Sequence, residues 1–248
     1  MIRNLILKLF SAILSTKTLM RIEVFFRHSL GKGIPGNIKN EIKEVRKVLN
    51  SDTKVILDIG ANYGVYTEEL LKYYPKAKYF LFEPQKVTYN HLKNKFKNYP
   101  NIKIFNNGIS DKNSSKLLYY DKKGSGLGSL YKRNLEHSNI KFDDHEKVEL
   151  LSLSTLFKNE FSSKSFKVDF CKIDIEGHEL AVLRSIKDNF EKFSLIQFEF
   201  GGCNIDSKTF FQDFWYLLKN DFNIYRIGLF GKILIKKYDE VDEAFVNT

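Results

Sequence analysis

The sequence predicts a doubly wound α/β fold, with a mainly parallel sheet covered by helices on both faces. Three observations carry that expectation. Short apolar runs alternate with stretches of helical periodicity from residue 54 to residue 220, the pattern of repeated βα units. The runs are apolar at consecutive rather than alternate positions, as strands buried on both faces must be. The first run ends in a glycine-containing turn that opens into a helical stretch, the position at which such sheets hold their ligands.

A GKGIPG turn at 31–36 divides an N-terminal helical appendage, 1–37, from a main domain, 38–248. In the appendage the apolar stretch of residues 1–14 is interrupted by Lys8, lacks a following cleavage site and is shorter than the ~20 residues that cross a bilayer. Neither a signal peptide nor a span is expected. Ile2, Leu5, Ile6, Leu9 and Ile13 recur at helical spacing, with Arg3, Lys8, Lys17 and Arg21 among them. Such a helix packs on the domain or on a second copy, giving a homo-oligomer, or lies through residues 1–21 on an anionic membrane surface. In the main domain a helix is expected over 38–49, then the strand KVILDI at 54–59 and a helix over 66–74. The strand KYFLFE at 78–83, a helix over 87–96 and the strand IKIFN at 102–106 continue the repeat. At 114–152 the repeat breaks: two β-like runs, KLLYYD and KVELLSL, flank a polar stretch with GSGLGS, and together they read as an inserted hairpin with a mobile loop. The repeat resumes with VDFCKIDI at 168–175, a helix over 179–190, the strand SLIQFEF at 194–200 and a helix over 207–220. FNIYRIG and KILIKKY then flank a glycine-containing turn and read as a closing antiparallel pair.

Composition narrows the class. A hydrophobic fraction of 43%, with only 4 Pro and 14 Gly, excludes collagen-like and wholly disordered chains. The two cysteines, Cys171 and Cys203, cannot make a disulfide framework and fit a reducing cytoplasm. Forty Lys and Arg against thirty Asp and Glu give +10, which permits attraction to phosphates, anionic lipid or acidic glycans without choosing among them. Tyr119, Tyr120 and Tyr131 beside Lys122, Lys123, Lys132 and Arg133 interleave aromatic and basic residues, as single-strand nucleic-acid or sugar surfaces do, or else decorate a solvated loop. Phe210, Phe211, Phe214 and Trp215 read as core, and His137 and His145 have no role.

Chemistry begins at VILDIGANYGVYT. Asp58 ends the strand, and Gly60, Ala61, Asn62 and Gly64 form a small-residue turn at a helix N-terminus, suited to close approach of a ligand. Asn62 stands where a dinucleotide fingerprint needs glycine, and the Lys-Ser/Thr of a phosphate loop is missing. Neither a nicotinamide cofactor nor ATP is therefore expected. Glu83 ends the second strand, where a carboxylate accepts hydrogen bonds from both ribose hydroxyls of an adenosine.

DIGANYG (58–64), FEP (82–84), NGISD (107–111), KIDIEGHE (172–179) and IQFEFG (196–201) together resemble the S-adenosylmethionine-dependent methyltransferases, and more narrowly the FkbM family. The resemblance implies a Rossmann-like class I methyltransferase fold that uses S-adenosylmethionine and releases S-adenosylhomocysteine. It implies that Asp58 and Gly60 face the methionine part, Glu83 the ribose, and Asn107, Gly108 and Ser110 the adenine. It also implies O-methyl transfer to a saccharide or nucleotide-sugar hydroxyl in surface polysaccharide synthesis, in the cytoplasm or at the inner membrane surface. A secondary metabolite, a nucleic acid, or nucleoside binding without turnover are the alternatives. Members usually close the sheet with a further strand; here either that strand is missing or KILIKKY takes its place.

KIDIEGHE lies at the carboxyl end of its strand, and Lys172, Asp174 and Glu176 alternate onto one face. A carboxylate there suits a sulfonium cation. Removing a hydroxyl proton suits His or a carboxylate of tuned pKa, so Asp174, His178 and Glu176 are the catalytic candidates. Asp174, Glu176 and Glu199 could instead surround a divalent metal. The plainer roles are a helix cap for Glu179 and a first-turn position without chemistry for His178.

Overall fold

The computed structural model describes residues 4, 10, 12–30, 32, 37–161 and 166–245. Ile2, Leu5, Ile6 and Leu9 of the expected amphipathic helix, most of the GKGIPG turn and the last three residues lie outside that set. Within the appendage, helix α1 spans Thr16–Ser29, capped by the Ser15 side chain, which accepts from the Thr18 N–H.

The main domain follows the expected alternation. Helix α2 (Ile38–Val45) precedes β1 (Val55–Ile59), α3 (Val65–Leu71), β2 (Lys78–Phe82), α4 (Lys86–Lys95) and β3 (Ile102–Phe105). Strand β4 (Gly108–Ser110) follows, the insertion supplies β5 (Ser114–Tyr120) and β6 (Asp144–Ser152), and α5 (Leu153–Glu160) leads back to β7 (Phe170–Ile173). Then come α6 (Glu179–Ser185), β8 (Ile196–Phe198), α7 (Cys203–Ser207), α8 (Phe211–Leu218), β9 (Tyr225–Gly228) and β10 (Gly231–Leu234).

Five strands form the central sheet in the order β3-β2-β1-β7-β8, all parallel. Successive residues divide between its faces. Leu57, Ile59, Phe80, Phe82, Cys171 and Ile173 pack with Leu156 of α5, Leu183 of α6 and Phe214 of α8. Ile56, Tyr79, Leu81 and Phe170 pack with Ile42 of α2, Leu70 of α3 and Leu92 of α4. Each strand is therefore buried on both sides, which is why its sequence reads as a continuous apolar run.

Several boundaries differ from expectation. The helix expected over 207–220 is the shorter α8, and a separate α7, which ends at Lys208 in a left-handed conformation, precedes it. Cys171 lies in β7 and Cys203 opens α7, and both cysteines are free and buried. Phe211 and Phe214 are core, but Phe210, just before α8, is half exposed, and Trp215 is only partly buried. The insertion is a true antiparallel pair, with Ser114 opposite Leu150 through Tyr120 opposite Asp144, and β4 adds a third strand parallel to β6. The NGISD segment is thus largely strand. Among the described residues β9 and β10 pair only with each other, so KILIKKY does not extend the central sheet.

Candidate active site

Between β1 and β7 the strand order reverses direction, and a doubly wound sheet opens a crevice there, beyond its carboxyl ends. The pocket at this point is lined by Gly60, Asn62, Glu83, Asp174, Glu176 and His178, with Gly108 and Ile109 of β4 behind them. Pro84, Leu118, Leu130 and Leu150 make an apolar wall, and Gln85, Ser125, Gly126 and Gly128 close another side.

The loop after β1 is held from both flanks. Its Gly60 N–H donates to the Phe82 carbonyl of β2, while the Asp174 N–H donates to the Ile59 carbonyl. Gly60 has φ +85°, and a Cβ there would stand 1.8 Å from the Asp174 carbonyl oxygen. That glycine is required by the neighbouring backbone before any ligand is considered. Gly64, with φ +71°, sits against Leu92 and Phe96, so it serves helix packing rather than the pocket. Asn62 carries a positive φ of 46°, a strained choice for a residue with a side chain.

Glu83 fastens this loop. Its Oε2 accepts from the Asn62 N–H at 2.9 Å and its Oε1 from the Gln85 N–H at 2.8 Å. Burial raises its pKa to about 7 against the opposing effect of those donors. Beside it the buried Asn62 Oδ1 has no hydrogen-bond partner, and orphaned acceptors of that kind are uncommon without a function.

On the β7 side, Lys172 Nζ donates to Asp174 Oδ2 at 2.7 Å. Burial opposes the Lys172 ammonium, yet the Asp174 and Asp58 carboxylates hold its pKa above the usual value. Burial likewise opposes the Asp174 carboxylate, and the Lys172 charge and a hydrogen bond from Glu199 leave its pKa lowered. Carboxyl oxygens of Asp174, Glu176 and Glu199 all lie within 4.8 Å of one another. Glu176, at φ +54°, turns back toward the insertion, where Arg133 Nη1 donates to its Oε2 at 2.6 Å and Ser129 Oγ to its carbonyl at 2.7 Å. Burial, then the neighbouring Asp174 charge, push Glu176 up to about 8.

His178 is buried, with both ring nitrogens engaged. Ser110 Oγ donates to Asp111 Oδ1 at 2.8 Å and lies 2.9 Å from His178 Nε2; Tyr131 Oη lies 3.1 Å from Nδ1. A serine whose proton is given to Asp111 can only accept from Nε2–H, which leaves Nδ1 bare to accept from Tyr131. Burial lowers the His178 pKa to about 4, so the ring is neutral at physiological pH. Glu179 fits the plainer expectation: its oxygens accept from the Ile175 N–H at 2.8 Å and the Gly177 N–H at 3.0 Å, so it caps the turn.

Among the residues expected at the cofactor, Gly60, Asn62, Glu83, Gly108 and Asp174 come together in the pocket, whereas Asp58, Ala61, Gly64, Asn107 and Ser110 do not line it. Asp58 lies beneath the loop, with Thr67 Oγ1 donating to its Oδ2 at 2.6 Å. Ser110 acts on His178 instead. The insertion contributes what the sequence did not assign. Gln85 Nε2 donates to the Ser125 carbonyl and its Oε1 accepts from the Gly124 N–H, drawing the GSGLGS loop over the pocket. A Cβ at Gly126 or Gly128 would meet Asn62 Nδ2 at 2.9 Å or Gln85 Nε2 at 2.6 Å and displace the end of that side chain. The run of small residues was the visible signal; its destination was not.

Comparison with known proteins identifies the family. The methyltransferase FkbM domain matches residues 58–224, two thirds of the chain, from the end of β1 through β8 and α8. The protein belongs to the FkbM methyltransferase domain family. Methyltransferase sdnD of Sordaria araneosa is 28% identical over 156 residues, covering 54% of this chain and 60% of its own length. The 2-O-methyltransferase NoeI of Sinorhizobium fredii is 27% identical over 168 residues, 64% of this chain and 68% of its own. This FkbM-domain chain thus spans about 60% of the first of these relatives. A solved precorrin-6y C5,15-methyltransferase of Geobacter metallireducens aligns over 82% of this chain and 83% of that one, with 11% identity and TM-score 0.40.

Proposed function

We propose that the protein is an S-adenosylmethionine-dependent O-methyltransferase acting on a saccharide-type hydroxyl, as the name of the 2-O-methyltransferase relative suggests. The observation that carries this reading is the pairing of the Glu83 carboxylate with the orphaned Asn62 Oδ1 in one crevice with Asp174 and His178. The donor set fits the cofactor. Glu83 would hold the ribose hydroxyls, Asn62 Oδ1 would accept from a donor of the ligand, the apolar wall of Leu118, Leu130 and Leu150 would take the adenine, and Asp174 would face the positive charge. When bound, S-adenosylmethionine supplies an electrophilic methyl on a sulfonium. The chain's own residues manage the proton: Tyr131 accepts it from the acceptor hydroxyl while passing its own to His178 Nδ1, and the Nε2 proton moves through Ser110 toward the exposed Asp111.

Arg133 favours a saccharide over a nucleic acid, because its guanidinium is buried on Glu176 and near Asp206 instead of being offered to phosphates. A divalent ion at Asp174, Glu176 and Glu199 would have to share the site with the Lys172 ammonium, which already neutralises Asp174.

Titration of the purified protein with S-adenosylmethionine and S-adenosylhomocysteine by calorimetry tests the cofactor, beside Glu83→Gln and Glu83→Ala. Micromolar binding, weakened at least about tenfold in both variants, is expected. Absence of binding by a folded wild-type protein would sink the assignment. Radiolabelled methyl transfer to saccharide acceptors, little changed by salt, separates this reading from nucleic-acid methylation, whose affinity falls steeply with ionic strength.

A further inference from the structure

Glu83, Asp174 and Glu176 line the pocket, and Glu176 has no part in cofactor contact or proton transfer. Two costs are met to keep a carboxyl at that position. Its φ of +54° lies in the left-handed region, where glycine or asparagine is the ordinary occupant, and its side chain is only 16% exposed, with a carboxyl oxygen within 4.8 Å of one of Asp174. Side-chain-bearing residues held in that region cluster where proteins clamp ligands. The tie to the insertion accounts for half of the carboxyl. Arg133 Nη1 donates to Oε2 at 2.6 Å, whereas Oε1 has no hydrogen-bond partner among the described residues. Ser129 Oγ also holds the insertion here, but it donates to the Glu176 carbonyl at 2.7 Å, a bond that any residue at 176 would accept. Ser129, Tyr131 and Arg133 are alternate residues of one stretch, and their side chains reach the Glu176 carbonyl, His178 Nδ1 and Glu176 Oε2 in turn. The same stretch thus sets the Tyr131 hydroxyl and the Glu176 carboxyl side by side.

We infer that Glu176 selects the acceptor: its Oε1 hydrogen-bonds the hydroxyl next to the one that is methylated, so the acceptor carries a vicinal pair of hydroxyls on a saccharide ring. Given the saccharide acceptor proposed above, on which this assignment rests, the reacting hydroxyl lies between Tyr131 and the sulfonium that faces Asp174. Its ring neighbour then falls within reach of a carboxyl that stands beside both Asp174 and Tyr131. A carboxyl suits that task in either protonation state, since it accepts from a hydroxyl when ionised and donates to one when protonated. Arg133 fixes it before the sugar arrives, so little side-chain freedom is lost on binding. An acceptor without the second hydroxyl would cover Oε1 and leave it unpaired, which is how a polar site rejects an analogue that lacks one group.

The test is transfer of radiolabelled methyl by the full chain to methyl glycosides of glucose, mannose, galactose and fucose, each beside monodeoxy analogues that lack a neighbour of the methylated position. For the glycoside methylated fastest, loss of one neighbouring hydroxyl should lower kcat/KM about tenfold or more. In Glu176→Gly, which suits the positive φ, that penalty should shrink to about twofold or less, because the two deletions remove the same bond. Glu176→Gln keeps an acceptor for Arg133 and a donor for the sugar, so part of the penalty should remain. Calorimetry with S-adenosylhomocysteine and the thermal midpoint show that each variant is folded and binds cofactor. Should Glu176→Gly not fold, the same variant combined with Arg133→Met, which leaves no lone guanidinium inside, takes its place. Absence of a penalty in the parent, or an undiminished one in Glu176→Gly, would overturn the assignment and leave the saccharide reading standing. Cofactor binding without transfer to any glycoside would overturn both. A penalty abolished by EDTA and restored by Mg2+ would put an ion between Glu176 and the sugar and overturn the direct contact.

Discussion

His178 shows how local hydrogen-bond polarity sets chemical role. As a lone histidine at a helix start it could have been the base itself; with Ser110 on Nε2 and Tyr131 on Nδ1 it is the middle of a chain. Replacing Tyr131 by Phe removes only the hydroxyl that reaches Nδ1. Its expected effect is a fall in turnover of roughly a hundredfold with cofactor affinity unchanged, read by single-turnover methyl transfer beside calorimetry. Equal losses in cofactor affinity and turnover would instead mean that Tyr131 only supports the pocket wall. Because burial holds the His178 pKa near 4, the acid limb of the rate profile belongs near that value and not near the usual histidine range. The candidate residues Asp174, Glu176 and His178 were legible in KIDIEGHE, since a strand end followed by glycine exposes whatever polar groups surround it. Tyr131 was not, because nothing local links a loop residue to a side chain 47 positions away.

The insertion is the element that completes the site. Sequence pattern made it a hairpin with a mobile loop, and the strands bear that out, but the loop is tied down at Gln85, Glu176 and Asp206. Arg133 is the tie with the largest consequence. Its side chain is almost wholly buried against Glu176, so Arg133→Ala leaves a carboxyl in the interior without its partner. Because Glu176 is pushed up to about 8 and keeps its proton near neutral pH, the loss is that of a charge-assisted hydrogen bond, about 1.5 to 3 kcal/mol, measurable as a shift in denaturant midpoint. The double variant Arg133→Met, Glu176→Gln should recover part of that stability, because Glu176 then leaves no acid in the interior and Asp206, which loses the guanidinium, keeps the Asn134 N–H. Failure of the double variant to recover would show that the loop is held by its backbone contacts instead.

At the scale of the whole molecule, three buried acids bias stability with pH. Glu83 and Glu179 are pushed up to about 7 and Glu176 to about 8, in each case first by burial, from 4.5. Between pH 6.5 and 8 the folded chain therefore holds protons that the unfolded chain has released, and stability falls as pH rises. The thermal midpoint of the ligand-free protein should climb as pH is lowered from about 8 to about 6.5; below that, His178, lowered by burial, works in the opposite direction. A midpoint flat across this window would show that these carboxyls ionise freely in the folded protein. Bound sulfonium would reverse the trend by favouring the carboxylates, so cofactor binding should release protons near pH 7.5, as titrations in buffers of different ionisation enthalpy would reveal.

The sequence by itself determined the parallel sheet, the position of its glycine turn and the acids at its strand ends. Those features follow from short-range rules: two-sided burial makes apolar runs, and a turn between strand and helix needs small residues. Only the tertiary structure decided that Asp58 lies under the loop while Asn62 faces the pocket, that Gly60 is demanded by the Asp174 carbonyl, and that an insertion forms one wall. Each depends on which distant segment arrives at a given point, and that is set by packing of the two cores rather than by any residue's neighbours along the chain.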